Sequence, residues 1–128
     1  MKNKIILNLT VISLIMIINA NYLMGQTSQS NSEDLKAGMS FELYQNTPEP
    51  FNDVTNIKFE VKKKEEIRLD VYNSTGIKVA NLVSGILEPG QYSVNFKANH
   101  SMIEGIYYYV LSQDKSSEIK RMVYKLFE

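Results

Sequence analysis

A chain of 128 residues has the length of one domain and falls short of two with independent cores. Its 14 basic and 14 acidic side chains cancel, and without Lys2 and Lys4 of the amino-terminal stretch 12 face 14, so no concentrated basic field exists to hold nucleic acid. Cysteine is absent, which excludes disulfides, thiolate zinc sites, thiol nucleophiles and an acylated lipoprotein cysteine.

Met1-Lys2-Asn3-Lys4 is basic, and Ile5 to Ile18 is apolar apart from Asn8, Thr10 and Ser13, the layout of a secretory signal. Residues 1–25 are assigned to it, with cleavage after Gly25 and Ala20 as the second choice. The alternative is an uncleaved anchor, because Ile5 to Met24 is long enough to cross a hydrocarbon core of about 30 Å as a helix. Asn19, Asn21 and the three polar interruptions favour removal. Under either reading the chain is exported, and the signal segment is its one expected contact with a membrane. Residues 26–40 offer only Leu35, Ala37 and Met39 for burial, too little to offset their ordering entropy, and read as a flexible tether.

From Phe41 the apolar period becomes two. A short strand is expected at Phe41 to Tyr44, and the alternation of Ile57, Phe59 and Val61 with Asn56, Lys58 and Glu60 gives the next. Lys62-Lys63-Lys64-Glu65 reads as a solvated hairpin turn into Ile67, Leu69 and Val71. Asn73-Ser74-Thr75-Gly76 ends that strand, and Ile77 to Val83 follows. Glu88-Pro89-Gly90 is a turn before Tyr92, Val94 and Phe96. Gly105 opens the β-branched and aromatic run Ile106 to Leu111, and a loop at Gln113 to Ser117 leads into Ile119 to Tyr124. Seven short strands in this spacing predict an all-β, immunoglobulin-like sandwich over residues 41–128.

Nothing in this domain assembles a reaction. His100 is the one histidine and has no ligand-spaced partner, so neither a metal, a cofactor nor catalysis is expected. Tyr107-Tyr108-Tyr109 alternates faces on a strand, which favours core and cross-strand packing over a stacking platform.

The series Leu43-Tyr44-Gln45-Asn46-Thr47-Pro48-Glu49-Pro50-Phe51-Asn52, then Leu69 to Val83, Gly90-Gln91-Tyr92, Gly105 to Leu111 and Lys120 to Lys125 resembles the C-terminal sorting domain of the type IX secretion system of Bacteroidota. The resemblance implies an immunoglobulin-like domain that acts as an address. Sec export would remove the signal in the periplasm, and a type IX translocon would pass the chain across the outer membrane. A sortase-like peptidase would in many members cut before the opening motif, leaving the product secreted or at the cell surface.

The residues that carry this resemblance are Leu43, Tyr44, Asn46, Pro48, Pro50, Phe51 and Asn52 at the start, and Tyr72, Gly76, Gly90, Tyr92, Gly105 and Tyr107 along the middle. Lys120, Arg121 and Lys125 carry it at the end. Glu49 stands where the family usually has Asn, and no cargo domain is recognised before the motif. Pro48, Pro50 and Phe51 read either as a recognition epitope or as a rigid corner with an aromatic plug. Lys120, Arg121 and Lys125 read either as export determinants or as the charged face of an edge strand. A stand-alone structural or adhesive module of the periplasm or cell surface is the alternative to the sorting role.

Overall fold

The alternating segments become seven strands in the computed structural model, which describes residues 38–127. The signal and residues 26–37 of the tether lie outside the described residues. The strands are β1 (Phe41–Leu43), β2 (Val54–Val61), β3 (Glu65–Asn73), β4 (Lys78–Leu87), β5 (Gly90–Lys97), β6 (Gly105–Gln113) and β7 (Ser116–Tyr124). They form a three-stranded sheet, β1-β2-β5, and a four-stranded sheet, β4-β3-β6-β7, with every strand pair antiparallel. This is an immunoglobulin-like sandwich, and no helix occurs among the described residues.

The inward side of each strand supplies the core. Ile57, Phe59 and Val61 of β2 oppose Ile67, Leu69 and Val71 of β3, all at most 1% exposed, with Tyr109, Leu111 and Met122 beside them. Each fully buried side chain of this size contributes about 1.5–3 kcal/mol over its exposed state. Tyr72, Tyr108 and Val110 form a second cluster on the opposite face of the four-stranded sheet, with Ile119 packed against it. Tyr107, Tyr108 and Tyr109 thus divide between the two faces, as strand alternation requires.

One connection differs from the sequence reading. Lys62 to Lys64 does not close a hairpin, because β2 and β3 belong to different sheets. A period of two is common to a hairpin and to an arch between sheets, and only the arch lets both apolar faces bury against each other. The Lys62 N–H donates to the Ser40 carbonyl at 2.7 Å as the chain leaves its sheet. Glu88-Pro89 likewise links β4 to β5 across the sandwich. By contrast β3 and β4 form a true hairpin, in which Gly76 adopts φ 82° and Asn73 Oδ1 accepts the N–H groups of Thr75 and Ile77.

Candidate functional site: a seam between the two ends of the domain

The arches leave β1 and β7 as neighbouring edges on one side of the sandwich. Residues 43–51 close that side. Leu43 N–H donates to Glu118 Oε2 at 3.0 Å, and Gln45 Nε2 donates to the Arg121 carbonyl at 2.8 Å. Phe51 N–H donates to the Val123 carbonyl at 3.0 Å, and the Lys125 N–H donates to the Phe51 carbonyl at 2.9 Å, a short parallel bridge. The beginning and end of the domain are therefore stitched together by main-chain bonds.

Glu49 is the cross-link within this seam. Both its oxygens accept the Val123 N–H, at 2.9 and 3.2 Å, and its Oε2 also accepts Asn46 Nδ2 at 2.9 Å. Glu49 thus turns its carboxylate back onto its own fold. Thr47-Pro48 and Glu49-Pro50 are cis, and both prolines are exposed on the corner. Phe51 is fully buried beneath it, 5.9 Å from the ring of Phe96 and 5.4 Å from that of Tyr124.

Asn46, 2% exposed, organises the polar interior of the corner. Its N–H donates to the Tyr109 hydroxyl at 2.9 Å, and that hydroxyl donates to the Tyr44 carbonyl at 2.9 Å. Its Nδ2 reaches Thr55 Oγ1, which donates to the Pro48 carbonyl, while its Oδ1 accepts Gln45 Nε2. A buried amide with every polar atom engaged fixes one geometry, since any other leaves it unpaired at a cost of about 1–3 kcal/mol. Burial pushes the Tyr109 phenol above its ordinary pKa, the charges of Glu49 and Glu118 add to this, and the hydrogen bond from the Asn46 amide opposes it.

The seam gathers Leu43, Tyr44, Asn46, Pro48, Pro50 and Phe51 with Arg121 and Lys125, and Asn52 is exposed in the bend that follows. The seam does not gather the rest. Tyr72 lies in the second cluster, Gly76 in the β3–β4 turn, and Gly90 and Tyr92 on β5, where Tyr92 stacks on Phe59 at 5.3 Å. Gly105 begins β6, and Tyr107 exchanges hydrogen bonds through its hydroxyl with Ile103. The basic residues at the end do not share one charged face: Lys120 is half-buried opposite Tyr109, on the inward side, whereas Arg121 is exposed opposite Tyr108 on the outward side. Tyr44 is 37% exposed on the rim, where desolvation and then the carboxylates of Glu42 and Glu60 raise its phenol pKa.

Gln45, Thr55 and Glu118 were not singled out by sequence, and Glu49 and Tyr109 were noted there without these partners, yet together they make the seam. The available signal was a tyrosine where a phenylalanine would fill the core, since a buried phenol needs a partner for its hydroxyl. Among the described residues no cluster of His, Cys, Asp or Glu is arranged to hold a metal. A family model described as the secretion system C-terminal sorting domain matches residues 43–125. No curated protein gives a significant match.

Proposed function

The chain belongs to the secretion system C-terminal sorting domain family, and on that footing we propose that it works by being recognised, with the seam as the surface that its translocon reads. Membership supports a type IX sorting role and export to the cell surface or medium, and the family is one of sorting signals and not of catalysts. The observation that carries the seam is that the matched region begins at Leu43 and ends at Lys125, and those two ends are bonded to one another through Phe51, Val123 and Lys125. A reader of this surface tests in a single contact that both ends of the domain are present and folded.

In this reading residues 1–25 engage the Sec machinery and are removed, and the folded domain meets the type IX translocon in the periplasm. A sortase-like peptidase cuts within the tether of residues 26–40, on the amino-terminal side of Met39. A cut there spares the fold, because Met39 packs against the core and Ser40 is tied to Lys62, Glu65 and Gln113. Pro48, Pro50, Tyr44 and Arg121 are exposed on the seam and are proposed as its contact residues.

The test is a fluorescent reporter carrying residues 26–128 behind a Sec signal, in a host with a working type IX translocon. Tyr44→Ala and Arg121→Ala are expected to lower extracellular reporter with unchanged melting temperature, and Ser84→Ala on β4 to leave it unaltered. Equal export by all three variants would remove the seam as the recognition surface.

A further inference from the structure

Four strands lie at sheet edges among the described residues, and three of them are covered or interrupted over part of their length. The Arg121 carbonyl and both main-chain groups of Val123 on β7, and the Lys125 N–H just beyond it, are used by the seam. β1 spans three residues, and its Leu43 N–H is held by Glu118. On β4 the register shifts twice, opposite Leu69/Asp70 and Val71/Tyr72, and Asn81 Nδ2 covers the Val83 carbonyl. Bulges and covering side chains of this kind keep edges from pairing. β5 has neither: Gly90 to Lys97 runs against Val61 to Val54 in unbroken register.

The direction of its hydrogen bonds follows from the other side of β2. Asn56 exchanges both main-chain bonds with Thr47, and the Lys58 carbonyl accepts the Tyr44 N–H. The even residues of β2 therefore face β1, and Thr55, Ile57 and Phe59 face β5, where they meet Phe96, Val94 and Tyr92. Gln91, Ser93 and Asn95 must then point their N–H and carbonyl groups outward, and all three are exposed. No charged residue lies between Gly90 and Asn95, and the half-buried Tyr92 and Val94 leave part of the core uncovered along this edge.

We propose that β5 pairs with β5 of a second copy of this chain, antiparallel about a two-fold axis at Ser93. In that register Ser93 faces its own counterpart, Gln91 faces Asn95, and Tyr92 faces Val94. The free main-chain groups of both copies are satisfied, and the two three-stranded sheets become one. The uncharged edge selects this occupant: identical strands meet here without like charges opposed, and a charged foreign strand finds no complement. Because a two-fold pairing consumes the β5 edge of both copies, it stops at two.

The natural chain lacks cysteine, so one introduced thiol reports the contact cleanly. Hydrogen-bonded antiparallel partners sit about 5.5 Å apart at Cα, within disulfide range. In the full chain, Ser93→Cys is expected to form a linked dimer on mild oxidation and Ser84→Cys on β4 to stay unlinked. Sedimentation should show an average mass rising with concentration toward that of two copies. Ser93→Lys places two ammonium groups on the axis and removes the exposed hydrogen bond from Ser93 Oγ to Asn56 Oδ1. It should abolish that rise, whereas Ser93→Ala, which loses the same bond without adding charge, should keep the rise at the same melting temperature as Ser93→Lys. A monomer at every concentration, a dimer that survives Ser93→Lys, or equal linking at both cysteines would overturn the proposal. So would amide protection at Gln91, Ser93 and Asn95 that appears only when translocon proteins are added, which would assign the edge to a foreign strand.

Discussion

The Tyr109 hydroxyl accepts the Asn46 N–H at 2.9 Å, so a phenol rooted in the centre of one sheet holds the corner that closes the edge of the other. Tyr109→Phe keeps the ring and removes that acceptor. The Asn46 N–H and the Tyr44 carbonyl are then left without this partner in a buried site, at a cost of about 1–3 kcal/mol. Urea unfolding measures this, and a midpoint unchanged from the natural chain would contradict the bridging role.

Glu49→Ala removes the acceptor of the Val123 N–H and one acceptor of Asn46 Nδ2. Because the carboxylate sits on the exposed corner, the expected loss is at the lower end for charge-assisted bonds, about 1–2 kcal/mol. Hydrogen exchange at the Val123 amide should accelerate while exchange in β3 stays at its former rate. Uniform acceleration across both sheets would mean that the corner is not a local fastener.

Gly76 turns the β3–β4 hairpin at φ 82°, where a Cβ meets the following carbonyl. Gly76→Ala is expected to cost about 1–2 kcal/mol. Strand content by circular dichroism should be retained, and the lower thermal midpoint reads the strain. No change would mean that the hairpin re-forms with another turn.

Alkaline pH should weaken the fold through its buried phenols. Burial, with Asp70 adding and Arg68 opposing, pushes Tyr72 up to about 12, and Tyr109 is raised by the same leading cause. Their folded pKa values exceed the unfolded phenol value of about 10, so the stability they contribute is complete below about pH 10 and is lost as pH rises toward the folded values. The urea midpoint should hold through neutral pH and fall beyond about pH 10. Tyr72→Phe and Tyr109→Phe should each flatten that fall. An equal fall in all three chains would place the alkaline sensitivity elsewhere.

Strand positions were legible because burial on one face writes a period of two into residues such as Ile57, Phe59 and Val61. Which strand each would meet was not, because Lys62 to Lys64 reads alike as a hairpin or an arch, and the choice depends on what the far face packs against. The motif fragments at Leu43 and Lys120 could be read singly. That they touch is a product of topology, carried by Gln45, Glu49 and Tyr109, whose roles lie in polar atoms that hydrophobic patterning does not register. The basic end misleads in the same way, since Lys120 and Arg121 adjoin in sequence and face opposite sides of β7.

The sorting role is tested most directly by comparing two hosts that differ only in a working type IX translocon, each exporting a fluorescent reporter fused ahead of residues 26–128 behind a Sec signal. Reporter in the medium or on the surface of the competent host, and its retention in the periplasm of the other, is the expected result. Equal accumulation outside both hosts would contradict it.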